Sequence, residues 1–252
     1  MSEVAVKGIV MAGGMGTRFR PLTNYIQKCM IPIGEQEKPI LEYIIKLYKH
    51  HNVNDLVLLV GYRYLQIENY FNHGERFGVE IKYVQDKSGW KGSANAILNA
   101  YQEGAISKDD TIVVYYGDIV SNIDLTKLLE QHNETGAKAT VALSTGFNVA
   151  VGTAEIDGNW VKGFKEKPRL ETPVSIGILV LDGSVIEDME RLHSEGQFQS
   201  YDLMGDVVQQ LVDDGDKVAA YLTDAFWYDV GSVEKYDKLS NERLSEELGF
   251  LL

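Results

Sequence analysis

The chain has 252 residues, of which 44% are apolar, so it can bury the core of one large α/β domain or of two small ones. Acidic residues outnumber basic ones by 37 to 24 and give a formal net charge of -13, which argues against nucleic acid as a partner. A phosphate ligand would therefore need a local site made of a few cations, backbone N–H groups or a metal ion.

The cysteine count and the N-terminal sequence bear on the compartment. Cys29 is the only cysteine, which excludes an intrachain disulfide and a cysteine-rich metal cluster and fits a reducing environment. The N-terminus lacks a basic segment followed by an apolar stretch, and no apolar run approaches the length of a bilayer span. We therefore expect a cytoplasmic protein without membrane contact.

Short apolar runs alternate with helical patterns through the first half of the chain. The run KGIVMA at 7–12 predicts a buried strand that stops at glycine. The predicted elements after it are a helix over 40–49, a strand over 56–60, a helix near 67–71, a strand over 80–84, a helix over 94–101 and a strand over 111–116. This order is typical of a Rossmann-like, doubly wound α/β sheet of mostly parallel strands. Ligands bind beyond the carboxyl ends of such strands, so the loops at Gly13-Gly14 and Gly117-Asp118 should face one crevice.

The second half has a different pattern. Strand-like segments at 139–143, 152–156, 161–164 and 175–181 are separated by turn residues, which predicts antiparallel additions to a mixed sheet. The tail over 233–252 has a charged, helical composition. We therefore predict a single domain over residues 1–252, with a nucleotide-binding half over about 1–135, a substrate-binding half over about 136–232 and a C-terminal helix over 233–252.

The stretch MAGGMGTRFRPLT at 11–23 follows the first predicted strand. It is not a dinucleotide fingerprint, because Phe19 stands where the third glycine is required, and it is not a P-loop, because no lysine follows a correctly spaced glycine. We interpret it as a different phosphate loop, in which small residues let the backbone approach the ligand and Arg18 offers a planar fork to phosphate oxygens. On the glycines alone, a glycine-rich turn with surface arginines remains an alternative.

The pattern G-G-x-G-T-R-x-x-P-L-T over 13–23 resembles the signature loop of the sugar-1-phosphate nucleotidyltransferases, also called NDP-sugar pyrophosphorylases, and in particular the glucose-1-phosphate thymidylyltransferases. Further segments resemble the family's motifs in the same order: Gln27 to Pro32, Glu37 to Leu41, Gly61-Tyr62, Gln85 with Gly92-Ser93-Ala94, Gly117-Asp118, Phe164 to Pro168, and Trp227 to Gly231. The resemblance implies a GT-A-like nucleotidyltransferase fold, with the sugar phosphate bound by the second half.

The resemblance also implies a role for each matching residue. Arg18 and Lys28 are the expected catalytic cations, and Asp118 and Asp229 the expected ligands of Mg²⁺. The expected nucleotide-binding residues are Ala12, Gly13, Gly14, Gly16, Thr17, Gln85 and Gly92. The expected sugar-phosphate-binding residues are Gly152, Glu166, Lys167 and Ser175.

The implied reaction joins an NTP and a sugar 1-phosphate to give an NDP-sugar and pyrophosphate. From Gln85 we predict dTTP or UTP, with glucose 1-phosphate as the acceptor. The alternatives are CTP or GTP with another hexose 1-phosphate such as mannose 1-phosphate, or a catalytically silent regulatory subunit that binds a nucleotide sugar. The partners we expect are these small molecules, with no nucleic acid and no membrane, and assembly into a homo-oligomer is left open.

Overall fold

The structure is a computed structural model that describes residues 5–145, 147–148, 151–196 and 200–252. The elements of the first half are β1 (Val6–Ala12), β2 (Pro32–Ile33), β3 (Lys38–Pro39), α1 (Ile40–His50), β4 (Asp55–Val60), α2 (Leu65–Phe71), β5 (Glu80–Gln85), α3 (Ser93–Gln102), β6 (Thr111–Tyr116), β7 (Ile119–Ser121) and α4 (Leu125–Thr135). Those of the second half are β8 (Ala139–Ser144), β9 (Phe147–Asn148), β10 (Thr153–Asp157), β11 (Trp160–Lys165), β12 (Arg169–Leu170), β13 (Val174–Asp182), α5 (Val185–Ser194), α6 (Gln209–Asp213), β14 (Val218–Thr223), β15 (Trp227–Asp229), α7 (Val233–Asp237) and α8 (Asn241–Leu248).

A seven-stranded sheet in the order β14-β8-β13-β6-β1-β4-β5 forms the centre of the molecule. The ladders β6-β1, β1-β4, β4-β5 and β14-β8 are parallel, whereas β13 is antiparallel to both of its neighbours. Within the described part of the chain, β13 is therefore the one strand of this sheet that runs against the others. The predicted mostly parallel mixed α/β sheet is confirmed.

Both faces of the sheet are covered, and the strand residues alternate between two apolar cores. In β4, for example, Leu56 and Leu58 belong to one core and Val57 and Leu59 to the other, as the period of two in a strand requires. Helices α1, α2, α4 and α8 contribute to the first core, and α3 and α5 to the second. The sheet is therefore the middle layer of three, which explains why its strands are continuous apolar runs.

Helix α1 packs on the central sheet in a position that its own sequence determines. Pro39 in extended conformation precedes its first residue, and eight of the helix residues are buried. The hydroxyl of Tyr48 lies 3.1 Å from the carbonyl oxygen of Ile9 and 2.9 Å from that of Val113. The helix is thereby tied to the two central strands whose carboxyl ends carry the functional loops.

Strand β13 carries a bulge on the side of the sheet nearest the site. Its register against β8 shifts between Ser175 and Leu179, and Gly177 within this stretch has a φ of 73°. A Cβ on Gly177 would lie 3.3 Å from side-chain atoms of Tyr116 and of Ile119. Bulges re-aim side chains next to binding sites, and this one turns residues 174–177 toward a cavity described below.

Two predicted details differ from the structure. Strands β10 and β11 pair only with each other among the described residues and form an exposed ribbon apart from the central sheet, instead of extending it. Their large side chains, Phe164 at 79% exposure for example, have no helix layer to pack against. The tail forms α7, α8 and a final 3₁₀ turn over Gly249–Leu251 instead of one helix, because Ser240 caps a new helix start through the N–H of Arg243.

Over the residues that the structure describes, no helix combines the length and the apolar character that a membrane crossing requires.

Candidate active site

Two adjoining cavities lie at the carboxyl ends of the parallel strands. The first, of about 540 Å³, is lined by the loop after β1, the segment after β5 and the start of α3. The second, of about 850 Å³, is lined by the bulge of β13, the segment around Asp202 and the region of β15 and α7. Three residues belong to the walls of both: Arg18, Tyr116 and Asp118. The loops after β1 and β6 therefore face one crevice, as their positions predict.

The loop after β1 is held in shape at its far end. Gly16 has a φ of 60° and precedes a 3₁₀ turn over Thr17–Phe19, in which Phe19 is fully buried. The hydroxyl of Thr23 donates a 2.8 Å hydrogen bond to the carbonyl oxygen of Gly16. A glycine is needed here because a left-handed backbone is strained with any side chain, and a Cβ would also lie 2.9 Å from the Thr23 methyl.

This loop offers unused hydrogen-bond donors. In the part of the chain that the structure describes, the backbone N–H groups over 14–16 donate to no other group of the protein. Arg18 is exposed to the cavities and, over the same described ranges, forms no ion pair. An unpaired guanidinium next to free N–H groups favours an oxygen-rich anion, even in a chain of net charge -13.

Lys28 and Asp118 form an ion pair on the cavity wall, with 11% and 25% of their side chains exposed. Lys28 is placed by a 3₁₀ turn whose N-terminus is capped by the buried Gln27 side chain. The neighbouring Cys29 is buried against Gly117, where a Cβ would lie 2.7 Å from the sulfur. Burial, and after it the nearby Asp118 carboxylate, raises the pKa of the Cys29 thiol to about 12, so the thiol is neutral and not a nucleophile.

The ladder between β7 and β15 brings the second aspartate to the first. Asp229 is paired with Ile119, the residue after Asp118, and the N–H of Val230 donates a 2.8 Å hydrogen bond to the carbonyl oxygen of Asp118. The Asp229 carboxylate forms an ion pair with Lys235 of α7. The backbones of two aspartates from distant parts of the sequence are therefore adjacent, and carboxylate oxygens are donors that suit Mg²⁺.

The described residues provide no group of three or more His, Cys, Asp or Glu side chains that would hold a metal ion unaided. Any ion held by Asp118 and Asp229 would take its other ligands from substrate phosphates and water, as Mg²⁺ commonly does.

The start of α3 is clamped to the segment that follows α5. Gly92 has φ 96° and ψ 160°, and a Cβ there would lie 2.1 Å from the carbonyl oxygen of Tyr201. The Ser93 hydroxyl donates to the carboxylate of Asp202 at 2.8 Å and accepts from the N–H of Leu203 at 2.8 Å. A π-helical turn begins at Leu203, and such turns are frequent at functional sites. The clamp joins one wall of the first cavity to one wall of the second.

The structure places the predicted site residues in two groups. Those brought together at the cavities are Gly13, Gly14, Gly16, Thr17, Arg18, Lys28, Gly92, Asp118, Ser175 and Asp229. The others line neither cavity: Ala12, Gln85, Gly152, Glu166 and Lys167.

Each residue of the second group has another observed setting. Ala12 is buried, and its carbonyl oxygen accepts a 2.7 Å hydrogen bond from the Gln27 amide. The carbonyl oxygen of Gln85 accepts from the Asn99 amide at 2.8 Å. Gly152, Glu166 and Lys167 are exposed at the base of the β10-β11 ribbon, where a Cβ on Gly152 would lie 3.1 Å from a Glu166 carboxylate oxygen.

Several cavity residues were not anticipated from the sequence. Lys235 and Arg243 of the tail line the second cavity, and Asp86 lines the first. Asp86 had a usable signal, because it lies two residues beyond the end of the strand predicted over 80–84. Nothing in the sequence indicated that Lys235 and Arg243 line a cavity, because the charged residues of a helix usually face solvent.

The sequence profile of a family described as "Nucleotidyl transferase" matches residues 7–246. The chain belongs to the nucleotidyl transferase family. The resemblance to the sugar-1-phosphate nucleotidyltransferases is thereby confirmed, and relatives with activities of that kind support it.

Two relatives illustrate the range of the family. A UTP–glucose-1-phosphate uridylyltransferase of Synechocystis sp. is 33% identical over 96% of this chain and 64% of its own length. A D-glycero-alpha-D-manno-heptose 1-phosphate guanylyltransferase of Aneurinibacillus thermoaerophilus is 28% identical over 94% of this chain and 98% of its own. The chain thus spans less than two thirds of the uridylyltransferase but nearly all of the guanylyltransferase.

Solved structures support the fold. A Bacillus anthracis protein whose crystal structure carries the assignment glucose-1-phosphate thymidylyltransferase matches with a TM-score of 0.76 and 22% identity over 96% of both chains. HddC from Yersinia pseudotuberculosis matches with a TM-score of 0.70 and 21% identity over 94% of this chain and 99% of its own. At these identities the likeness concerns the backbone arrangement.

Proposed function

We propose that this chain transfers a nucleotidyl group from an NTP to a sugar 1-phosphate and releases pyrophosphate. The observation that carries the proposal is the shared wall of the two cavities, where Arg18 and Asp118 face both compartments. Two substrates bound on either side would meet at this wall, which is the geometry that a direct transfer between them requires.

The nucleotide is assigned to the first cavity and the sugar phosphate to the second. Free backbone N–H groups over 14–16 would hold phosphate oxygens of the nucleotide, and Arg18 would offset charge on both substrates. The second cavity offers polar groups from Ser175 and Asp202 to sugar hydroxyls. No nucleophilic side chain is required, because the attacking atom is an oxygen of the sugar phosphate.

Mg²⁺ is the cofactor that fits the donor set. Asp118 and Asp229 would hold it, and the bound ion would neutralise charge that gathers on the leaving pyrophosphate. Each aspartate has a lysine partner in the structure, Lys28 and Lys235 respectively. These ion pairs hold the two carboxylates at the cavity walls.

UTP or dTTP with glucose 1-phosphate is the substrate pair we propose first. The Synechocystis relative, a UTP–glucose-1-phosphate uridylyltransferase, supports it. The guanylyltransferase relative supports a second candidate, the same reaction with GTP and another sugar 1-phosphate. We place the reaction in the cytoplasm, because a chain whose only cysteine is the buried Cys29 suits a reducing compartment.

A pyrophosphate-release assay tests these proposals. Purified protein with Mg²⁺ is combined with each of the five common NTPs and a panel of sugar 1-phosphates, and turnover is expected with UTP or dTTP and glucose 1-phosphate. Turnover confined to GTP and another sugar phosphate would select the second candidate. A protein that binds nucleotide sugars without any turnover would be a regulatory subunit, and the enzyme proposal would be wrong.

A further inference from the structure

The carboxyl group of Asp86 occupies a confined position in the first cavity. Asp86 is the first residue after β5, and its N–H donates a 2.7 Å hydrogen bond to the carbonyl oxygen of Val60, which fixes its backbone. A Cβ on Gly13 would lie 2.4 Å from the Asp86 Oδ2, and a Cβ on Gly61 would lie 2.1 Å from it. The carboxyl group therefore uses space that two glycines from two different strand ends leave free.

This carboxyl group lacks a hydrogen-bond donor. Across the described ranges no protein group donates to its oxygens and no cation pairs with it. Burial raises the pKa of Asp86, which shows that the surroundings disfavour the charged form. Asp86 is exposed to the cavity, and an ionised carboxylate is an acceptor only, so its oxygens are available for a hydrogen bond from a ligand.

The distribution of charge along the cavity indicates which part of a nucleotide lies beside Asp86. Arg18 and Asp118 stand at the wall shared with the second cavity, where the triphosphate has to meet its acceptor. Asp86 and Trp90 belong to the first cavity alone, together with Lys91 and the apolar Leu59 and Ala96. Apolar and aromatic walls suit a flat base, whereas an unpaired carboxylate such as Asp86, unlike Asp118 with its Lys28 partner, repels phosphates.

We propose that Asp86 selects the nucleobase by accepting a hydrogen bond from its ring N–H group. This rests on the proposed function, because it assigns a nucleotide to the first cavity. Uracil and thymine carry such an N–H at N3 and guanine at N1, whereas the matching ring nitrogens of cytosine and adenine are acceptors that the carboxylate repels. Asp86 therefore favours UTP, dTTP and GTP over CTP and ATP.

The specificity change in Asp86→Asn tests the proposal. Each nucleotide is titrated with Mg²⁺ by calorimetry, without sugar phosphate, and kcat/KM is measured for each in the full reaction. In the wild type we expect ring-N–H nucleotides to be preferred by about a hundredfold or more, since an unpaired polar group in a binding site strongly disfavours the wrong ligand. The amide of Asp86→Asn can donate as well as accept, so the preference should fall to less than about tenfold.

Asp109→Asn is the matched control, because it makes the same chemical change at an exposed turn. It should leave both the affinities and the ranking of the nucleotides as they are. If Asp86→Asn does not fold, as judged by circular dichroism, Asp86→Ala replaces it, and the same loss of preference is expected.

The outcomes separate this proposal from the one before it. A wild-type protein that binds CTP or ATP best, or an Asp86 variant with the wild-type ranking, overturns the role of Asp86 while leaving nucleotidyl transfer intact. A wild-type protein that binds ring-N–H nucleotides selectively but turns over no substrate pair overturns the enzyme proposal and leaves the role of Asp86 standing. A protein that binds no nucleotide overturns both.

Discussion

The Lys28 ammonium pairs with the Asp118 carboxylate at the junction of the two cavities. A divalent ion that takes Asp118 as a ligand competes with this pair, and the released ammonium would then face the phosphates. If Asp118 binds the metal ion and Lys28 acts as a catalytic cation, as the family resemblance implies, the pair couples metal binding to the placement of that cation. Removing the lysine should then lower turnover and tighten metal binding.

Lys28→Met should lower kcat by about a hundredfold, the loss typical of removing one charge-stabilising contact from an active site. The same change should tighten binding of a divalent ion to the nucleotide-free protein, because Asp118 loses its competing partner. Steady-state assays and a Mn²⁺ titration followed by electron paramagnetic resonance measure the two effects. Lys127→Met, which breaks the exposed pair with Asp124, is the control. Unchanged Mn²⁺ affinity in Lys28→Met would contradict the competition.

Arg18→Ala should reduce turnover by about a hundredfold or more without a change in folding stability. Arg18 is exposed and forms no ion pair among the described residues, so its removal leaves no buried charge behind. Turnover is measured by pyrophosphate release and stability by urea unfolding. Arg20→Ala, two residues along, removes an exposed arginine that lines neither cavity and should retain activity. Equal activity of the two variants would refute the assignment.

Gly92→Ala should destabilise the fold more than Gly104→Ala. Gly104 has a φ of 66° and open space around it, so an alanine there costs about 1–2 kcal/mol of backbone strain. Gly92 lies in a region that essentially only glycine adopts, which costs about 1–3 kcal/mol, and its Cβ would also clash with the Tyr201 carbonyl oxygen. Urea unfolding of both variants measures the difference. Equal midpoints would show that the Tyr201 backbone moves away from the added Cβ at no measurable cost in stability.

The Cys29 thiol should resist modification in the folded protein. Its pKa is raised to about 12, so between pH 7 and pH 9 almost no thiolate is present and the reaction rate should stay low. A thiol-reactive disulfide reagent, added at pH 8 with and without urea, should modify the unfolded chain at least about a hundredfold faster than the folded one. Rapid stoichiometric reaction of the folded protein would contradict the buried setting.

Asp86→Asn should stabilise the protein at neutral pH. Burial raises the folded-state pKa of Asp86 above its unfolded value, so the charge disfavours folding once the pH rises above the unfolded pKa. The variant should therefore unfold at higher urea concentration than the wild type at pH 7, with a difference that shrinks as the pH falls toward 4. Asp109→Asn should show no such trend. If Asp86→Asn is less stable than the wild type at pH 7, a protein group must donate a hydrogen bond to the Asp86 carboxylate.

The alternating pattern of the first half was readable from the sequence because β1, β4 and β6 are buried on both faces and their residues form apolar runs, while the helices between them have an apolar side. The positions of Gly13 and Asp118 at strand ends were enough to predict a common crevice. The adjacency of Asp118 and Asp229 follows from the short β7-β15 ladder, and its strands of three residues each are too short for periodicity to reveal.

Other features depend on contacts that only the folded chain makes. The ribbon of β10 and β11 has ordinary alternating strands, and nothing in their sequence tells whether they join the main sheet. The prediction that Gln85 contacts the base rests on motif position. The room that Gly13 and Gly61 make for the Asp86 carboxyl group appears only when three strand ends are brought together.

The common wall formed by Arg18, Tyr116 and Asp118 limits how this active site can be altered. With one substrate in each cavity, as proposed, a substitution at any of these three positions would change the surroundings of both substrates at once, so preference for one could not be changed there without disturbing the other. Trp90 and Ser175 each face a single compartment. Substitutions that change the preferred nucleotide or sugar phosphate, in evolution or in the laboratory, should therefore accumulate at positions that line one cavity only. The three residues of the common wall should change least.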